Sequence, residues 1–474
     1  MKNLIYLILS GALALASCSK DDPAPVEVGE VKLNKTTLTL AVGEEQPLTA
    51  TVLPDNAENK TVAWSSSDTK IATVSDAGLV TAVAVGSATI TARADGKSAT
   101  CAVTVEPTAV ESVTLDKTEL TLHRGGTETL TATVLPEDAT DPKVVWTTSD
   151  EAIATVSDAG LVTAVAPGSA TITAAAGDKS ATCAVTVEPD VYVVGHNSSD
   201  QTVRKGLLWK NGLVSELPFR DLYSGGIQVS DGDVYIAGTY LENDGKTLKL
   251  GVMKNGELSE WGKGGYYVSI SASGKDLYAV CAETPTTSFV YKNGTGEQFE
   301  PGAKVYTTSI FVSEGDVYIG GRVIKTTSAA TYWKNGVATE LTDGIKKRGT
   351  VLSVVAAKGS IYAVGTDDTD GVKVVLWKDG IPTYLSEGIS AYSVCVSGNG
   401  DVYVAGQSAT RKPILWKNGE AIQLSSSTGE AYSVFTYNND VYVVGRNNSR
   451  ATLWKNGVEE LLPGGYDAKS VFVY

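Results

Sequence analysis

The stretch DVYVVGRNNSRATLWKNG, residues 440–457, decides the fold because the chain carries seven versions of it. Its opening Asp-x-Tyr pattern recurs with small changes through the C-terminal part of the chain, at Asp190, Asp233, Asp276, Asp316, Ser360, Asp401 and Asp440. Each copy ends an apolar run on Lys-Asn-Gly or Lys-Asp-Gly, and Asn-Gly between apolar runs is a strong hairpin signal. The copies follow one another at intervals of about 40 residues, which is typical of a four-stranded propeller blade.

The order of strands within the repeats predicts how the ring closes. The chain enters the repeats on a second strand at Asp190 and ends on an innermost-type strand, Lys469 to Val473. We therefore expect residues 190–474 to form a seven-bladed β-propeller whose last strand completes the first blade. The "LWKNG" element is similar to short repeats of some bacterial propeller-like proteins.

The repeated aromatic residues have a structural interpretation and a functional one. Tyr recurs two positions after every blade-opening residue, and Trp precedes the Lys-Asn-Gly or Lys-Asp-Gly turn in five repeats. Side chains at the same place in every blade usually pack one blade on the next, so we favour packing over sugar stacking. The blade-opening Asp is predicted to be a turn residue that bonds its own backbone.

Residues 28–107 and 108–189 form a second kind of repeat, in which Trp64 aligns with Trp146 at a constant offset. Both units alternate apolar and polar residues between turns, which predicts two β-sandwiches and an all-β chain. The motifs VAWSSSD, IATVSDAGLVTAVAVGSATIT and CAVTV resemble the bacterial group 2 immunoglobulin-like domain. That resemblance implies a spacer or an adhesion module, and the near-identity of the copies favours the spacer. The short Glu-Pro linkers predict a stiff rod.

The N-terminal segment, residues 1–27, looks like an export and anchoring segment. Lys2 and an apolar run too short to span a bilayer precede Leu15-Ala16-Ser17-Cys18, which resembles a bacterial lipobox. The resemblance implies a signal peptide at 1–17, lipid attachment at Cys18 and a tether at 18–27. Acidic residues after Cys18 resemble the surface-export signal of Bacteroidetes lipoproteins. We expect an outer-membrane lipoprotein exposed at the cell surface, with the periplasmic face as the alternative.

Composition excludes several classes of function. A net charge of −15 disfavours nucleic acid and polybasic docking to a membrane, so membrane contact is expected through the lipid alone. The chain has two histidines, and its cysteines show no metal or redox spacing. We expect no cofactor and no metal. Four thiols are predicted to be small, buried and unpaired, at Cys101, Cys183, Cys281 and Cys395.

Comparison of the seven repeats indicates a binding face. The connections between second and third strands, and those between blades, vary in length and chemistry, whereas the other turns are short and uniform. Both variable sets lie at one end of a blade, so that end is the candidate site. Five residues enter the innermost strands there and are predicted to surround the channel mouth and bind ligand: Tyr267, Arg348, Tyr392, Tyr432 and Lys469. Solvated loop residues are the alternative interpretation.

A catalytic interpretation of the same end rests on carboxylates. Four carboxylates lie near the connections (Asp221, Asp343, Glu387 and Asp467), but nothing selects the pair that a glycosidase needs. Residues 367–371 resemble a calcium-binding loop in composition but lack its ligand spacing, so an acidic turn is favoured. No catalytic residue is predicted. We expect a non-enzymatic binding or adhesion protein for an extracellular glycan or protein, with a polysaccharide-acting propeller enzyme as the alternative.

Overall fold

The computed structural model describes residues 25–200, 204–220, 225–242, 246–345, 347–369 and 371–474. The predicted signal peptide, Cys18 and most of the tether lie outside these residues, as do Asp221 and Asp370. Contacts divide the chain into two compact units, one ending at Val187 and the other comprising Glu188–Tyr474. In the described residues all regular structure is β-strand, and no helix is long and apolar enough to cross a bilayer.

The first unit contains two sandwiches of nine strands. The first has the strands Glu30–Leu33, Thr37–Ala41, Glu45–Pro47, Ala50–Leu53, Ala63–Ser66, Ala72–Val74, Leu79–Ala82, Gly86–Ala94 and Lys97–Glu106. The second has the strands Ser112–Leu115, Glu119–His123, Thr127–Thr129, Ala132–Leu135, Val145–Thr148, Ala154–Val156, Leu161–Ala164, Gly168–Ala176 and Lys179–Glu188. Every strand begins at the same offset from its counterpart that aligns the two sequences, so the sequence repeat is also the structural one.

Each sandwich packs a four-stranded sheet on a three-stranded one, and its first and fourth strands form a separate two-stranded sheet. In the first, Thr37–Ala41 runs parallel to Lys97–Glu106, and the remaining pairs are antiparallel. Alternate residues of both sheets meet in one core, which buries Ile90 and Cys101 of one sheet with Val80 of the other. This alternation is what the sequence predicted for a two-layer sandwich.

The second unit is a ring of seven four-stranded antiparallel sheets, which we call blades 1 to 7 and whose strands we number outward from the axis. The first strands of blades 1 to 7 are Asp467–Val473, Gly225–Ser230, Val268–Ser273, Val305–Ser313, Gly349–Ala357, Gly388–Val396 and Gly429–Tyr437. The second strands are Val191–His196, Asp233–Leu241, Asp276–Thr284, Asp316–Ile324, Ser360–Asp367, Val402–Ser408 and Asp440–Asn447.

The outer strands follow the same order. The third strands are Lys205–Lys210, Leu248–Lys254, Thr287–Lys292, Ser328–Lys334, Lys373–Lys378, Pro413–Lys417 and Arg450–Lys455. The fourth strands are Leu213–Arg220, Glu257–Lys263, Thr295–Gln298, Val337–Glu340, Ile381–Tyr384, Glu420–Gln423 and Val458–Leu461. In all seven blades both turn residues between the third and fourth strands have positive φ, 47–52° at Asn or Asp and 77–94° at Gly. Asn and Gly tolerate this region best, as the hairpin prediction requires.

The ring closes as predicted. The last strand pairs with Val191–His196, so the C-terminus supplies the first strand of blade 1. Each first strand contacts the first strand of the next blade, and that of blade 1 contacts those of blades 7 and 2. Serine hydroxyls bridge these steps: the Ser433 Oγ accepts the Val471 amide at 3.4 Å, and the Ser470 Oγ accepts the Ile227 amide at 3.4 Å.

The repeated aromatics pack blade on blade, which confirms the structural interpretation. Trp209 of blade 1 lies in one core cluster with Tyr442 of blade 7. The same pairing of a Trp with the Tyr of the preceding blade occurs for Trp333 and Tyr278, Trp377 and Tyr318, Trp416 and Tyr362, and Trp454 and Tyr403.

The blade-opening Asp was predicted to bond its own backbone, and this prediction is wrong. The Asp190 carboxylate accepts a hydrogen bond from Asn211 Nδ2 at 2.8 Å and lies 2.9 Å from Lys210 Nζ, which also stands over the Tyr192 ring. The Asn211 Oδ1 in turn accepts the Val191 amide. This cluster, the Asp–Lys–Asn clamp, joins the second strand to the third-to-fourth turn rather than the Asp to its own backbone.

Blade 5 carries the clamp in altered form. Six blades open on Asp and turn on Asn, but blade 5 opens on Ser360 and turns on Asp379. The Asp379 Oδ1 still accepts the Ile361 amide at 2.8 Å. In blade 5 the turn residue therefore carries the carboxylate of the clamp, and the blade-opening residue does not. This exchange avoids two anions at hydrogen-bonding distance.

Candidate functional site

The first strands of all seven blades surround an axial cavity of about 640 Å³. Its walls carry alternating apolar residues and small serines, because the inward faces of neighbouring strands must fit around a narrow axis. Tyrosines collect in its wall at one end, where the second-to-third connections and the connections between blades lie. We call this the variable end. A cavity of this size is large enough for a small ligand.

Two tyrosine pairs stand in the cavity wall at the variable end. Tyr267 of blade 3 meets Tyr306 of blade 4 edge-on, with ring centroids 5.7 Å apart. Tyr392 of blade 6 and Tyr432 of blade 7 have centroids 5.4 Å apart. Blade 5 separates the pairs on one side, and blades 1 and 2 separate them on the other. The cavity is therefore flanked by aromatic rings in two places.

A charged cluster lies beside the second pair, where blade 7 meets blade 1. The Asp467 carboxylate is 6 % exposed and lies 2.9 Å from Lys469 Nζ and 3.5 Å from Arg446 Nε. Arg446 Nη2 also lies 3.1 Å from Glu430 Oε1. Lys469 Nζ stands 3.7 Å from the centroid of the Tyr432 ring. Each cation of this cluster thus has a carboxylate partner.

Burial sets the protonation of three neighbours of this cluster. Desolvation lowers the pKa of His196 to about 4, although its Nε2 lies 3.3 Å from Asp467. Desolvation raises the pKa of Tyr392 to about 12, with a further contribution from the nearby charge of Glu430. Burial also raises the pKa of Tyr432. At neutral pH the imidazole is therefore neutral, and both phenols keep their protons and can donate hydrogen bonds.

Among the described residues, no group of three or more His, Cys, Asp and Glu side chains could hold a metal ion. Residues 367–369 form a hydrogen-bonded turn: the Asp367 Oδ1 accepts the Thr369 amide at 3.0 Å, and Tyr384 donates to the Asp367 Oδ2 at 3.0 Å. Asp343 likewise caps a turn through the amides of Ile345 and Lys347. Of the four carboxylates near the variable connections, Asp467 lies in the charged cluster at the mouth.

Comparison with known proteins concerns mainly the first unit. The family model "Bacterial Ig-like domain (group 2)" matches residues 27–105 and 109–187. Through these two domains the chain belongs to that family. It is 40 % identical over 178 residues to an uncharacterized protein of Clostridium acetobutylicum, covering 36 % of this chain and 18 % of that one. It is 37 % identical over 174 residues to an Ig-like virion protein of Serratia phage KSP90, covering 35 % and 67 %.

The propeller has distant structural likenesses. The β-propeller domain of the trilobed protease from Pyrococcus furiosus is 10 % identical, with a TM-score of 0.35 over 67 % of this chain and 97 % of that one. This value is too low to transfer a binding site or an activity. Because the chain spans less than a fifth of the clostridial relative, whole-protein functions do not carry over from it either.

The two Ig-like domains bury the thiols Cys101 and Cys183 at matching positions in their cores, as the sequence predicted. Cys281 is also buried and unpaired. Cys395 is unpaired as predicted, but the prediction of burial is wrong for it: Cys395 is only half-buried and lies in the wall of the axial cavity, 3.4 Å from the Thr436 hydroxyl. Inner-strand residues of a propeller can face the axis, so a small side chain there stays partly exposed to the axial cavity.

Four of the five predicted ligand-binding residues come together: Tyr267, Tyr392, Tyr432 and Lys469 all line the cavity. Arg348 does not line it. Its side chain is exposed and donates from Nη2 to the backbone carbonyl of Asp368 at 3.2 Å. It precedes the first strand of blade 5 and leans outward onto the neighbouring loop. A ligand-binding role of all five remains a prediction.

Sequence comparison missed the second ring of residues behind the tyrosines. Six positions after each blade-opening residue the chain has His196, Thr239, Ala282, Arg322, Thr366, Gln407 and Arg446. These residues lie at the end of the second strands or within two positions of it, at the variable end, and three of them are cationic or titratable. A signal was present, because this position differs in chemistry between blades, whereas the six positions before it repeat with small changes.

Proposed function

We propose that the propeller binds a glycan in the mouth of the axial cavity at the variable end and that it does so without catalysis. The observation that carries the proposal is the placement of two tyrosine pairs, Tyr267 with Tyr306 and Tyr392 with Tyr432, around one concavity. These rings differ from the seven scaffold tyrosines, since they occur only in some blades and face the axis.

Tyrosine suits a sugar for physical reasons. Its face accepts the C–H groups of a pyranose ring, while its hydroxyl exchanges hydrogen bonds with sugar hydroxyls. Tyr267 is 43 % exposed and its neighbour Tyr266 is 61 % exposed, so both offer ring surface to a ligand. Exposed aromatic surface beside a cavity marks interaction sites more often than scaffold positions.

A glycan array probed with the full chain tests this proposal. We expect binding to a restricted set of glycans, and we expect Tyr267→Ala to weaken it. Binding to no glycan would reject the glycan proposal and would leave a protein ligand as the next class to examine. Tyr384→Ala is the matched control, because Tyr384 is 54 % exposed but lies outside the cavity, on the outer strand of blade 5.

One observation favours the enzymatic alternative. Asp467 and Glu430 both approach Arg446 at the mouth, and a glycosidase requires two carboxylates across its substrate. Both are held in ion pairs, however, so proton donation or nucleophilic attack would first require breaking one. Mass spectrometry of glycans incubated with the full chain separates the functions. We expect no product, and product formation that Asp467→Asn abolishes would favour the enzyme.

We also propose that Cys18 is lipidated and that the protein is an outer-membrane lipoprotein displayed on the cell surface, with the Ig-like domains between anchor and propeller in sequence. Incorporation of radiolabelled palmitate, lost in Cys18→Ser, tests the anchor. Digestion of the propeller by protease added to intact cells tests the surface location. Protection from that protease would place the protein on the periplasmic face.

A further inference from the structure

Arg322 is a cation without a carboxylate partner at the variable end of blade 4. Its guanidinium carbon lies 4.7 Å from the centroid of the Tyr306 ring, and Nη1 makes a long contact of 3.4 Å to the Thr350 hydroxyl. Its Nε is buried and has no hydrogen-bond acceptor. Among the described residues, no carboxylate lies within ion-pair distance of Arg322. Its side chain is half-buried, so solvent compensates the charge only in part.

Arg446 occupies the same position of blade 7, and there the charge of the guanidinium is compensated by carboxylates. The cross-strand neighbour of Arg446 is Glu430, whereas that of Arg322 is Tyr306. Arg446 pairs with two carboxylates, Glu430 and Asp467. A partly buried arginine is normally paired in this way, because removing its charge from water is costly. Blade 4 has an aromatic ring where blade 7 has an anion.

The surroundings of Arg322 identify where the missing anion would come from. Tyr306, on which the guanidinium rests, lines the axial cavity and meets Tyr267 there. The Lys469 ammonium, which also lines the cavity, already has Asp467 at 2.9 Å. Arg322 does not line the cavity itself, but it lies directly behind Tyr306, which does. A negatively charged ligand group at this side of the mouth would therefore gain most beside the half-buried, uncompensated guanidinium.

We propose that Arg322 forms an anion subsite for an acidic glycan, with the sugar ring against the exposed ring of Tyr267 and its carboxylate or sulfate on the guanidinium. This inference rests on the proposed glycan-binding function. The chain carries a net charge of −15, and Glu430 and Asp467 lie at the mouth near blade 7, so a densely charged polyanion is disfavoured. The expected ligand bears isolated acidic residues on an otherwise neutral chain.

Matched oligosaccharides test the subsite: xylotetraose, the same oligosaccharide carrying one glucuronic acid branch, and a monosulfated counterpart. With the full chain, we expect at least one acidic member to bind about 10- to 100-fold more tightly than the neutral one by calorimetry. Arg322→Gln should remove this preference, and Arg322→Lys should retain part of it. Arg411→Gln is the control, since Arg411 is exposed at the same end of blade 6 and, among the described residues, stacks on no tyrosine of the cavity wall as Arg322 does.

The outcomes separate the subsite from the function on which it rests. If neutral and acidic members bind equally well and Arg322→Gln changes neither, the anion subsite is wrong and glycan binding stands. If none of these probes binds and a glycan array shows only neutral ligands, the subsite is again wrong. If no glycan binds at all, both proposals fail. If only the sulfated member depends on Arg322, the subsite stands with sulfate as its anion.

Discussion

The imidazole Nε2 of His196 lies 3.3 Å from the Oδ2 of Asp467. His196 ends the first propeller strand in the sequence and Asp467 begins the last one, so this contact stands where the ring closes. Both side chains are almost fully buried, at 3 % and 6 % exposed. The closure of the ring and the charged cluster of the candidate site therefore share one residue pair.

Acidification should destabilise the propeller through His196. The pKa of His196 is about 4 in the folded chain, against 6.5 for an unperturbed histidine in the unfolded chain. Unfolding therefore takes up a proton between pH 6.5 and 4. The contribution of His196 to the free energy of unfolding is therefore complete above pH 6.5 and falls with pH, by about 2 kcal/mol at pH 5. Tryptophan fluorescence in urea measures this change, because six of the eight tryptophans lie in the propeller. His196→Gln should show a smaller loss between pH 7 and 5, and an equal loss would contradict the assignment.

The last strand should be indispensable to the second unit. Val473 is 2 % exposed in the cluster that joins blades 7 and 1, whereas Val458 on the outer strand of blade 7 is 71 % exposed. Val473→Asp buries an unpaired carboxylate and should cost about 3 kcal/mol or more, while Val458→Asp should cost about 0.5 kcal/mol or less. Urea unfolding compares the two. Similar midpoints for both variants would mean that the ring does not depend on its C-terminal strand.

The altered clamp of blade 5 offers a double-mutant cycle. Ser360→Asp alone places a second carboxylate beside Asp379 and should lower Tm. Ser360→Asp combined with Asp379→Asn recreates the arrangement of the other six blades, in which Asp bonds Asn and pairs with Lys. The double variant should recover the wild-type Tm or exceed it, because Lys378 gains a partner. Calorimetry measures four chains, which are the wild type, Ser360→Asp, Asp379→Asn and the double variant, and additive effects would refute the coupling.

Two equivalent arginines should differ in their importance for folding. Arg446→Gln leaves Glu430 and the buried Asp467 without a shared cation and should cost about 3 kcal/mol. Arg322→Gln removes a charge that has no carboxylate partner and should change stability little. Chemical denaturation of the two variants at pH 7 compares them directly. An equal cost for both would show that Arg322 is compensated in the folded chain.

The fold was predictable because its determinants are local and repeated. Asn-Gly turns at fixed positions set the hairpins, and the phase of the repeats set which strand closes the ring. The scaffold role of the repeated Trp and Tyr followed from their regularity. The blade-opening Asp was misjudged, since its partners Lys210 and Asn211 are distant in sequence and meet it only through strand pairing.

The candidate site was predictable only in part. Tyr267, Tyr392, Tyr432 and Lys469 follow variable loops onto the first strands, and strand geometry carries them to the axis. Arg348 does not line the cavity, because a residue just before a strand can point away from the axis. Its guanidinium instead donates a hydrogen bond to the backbone carbonyl of Asp368. Arg446 and Asp467 lie on neighbouring blades and meet only when the last strand packs against blade 7. Pairings of this kind do not appear in any single repeat.

Ligand binding at the axial mouth is tested most directly by the dissociation constant for the strongest array glycan, measured for three chains. Tyr267→Ala removes a ring that lines the cavity and should weaken binding about tenfold relative to wild type. Tyr384→Ala removes an exposed tyrosine outside the cavity and should leave the constant unchanged. Equal weakening by both substitutions, or no effect of Tyr267→Ala on a glycan that does bind, would contradict a site at the mouth of the propeller.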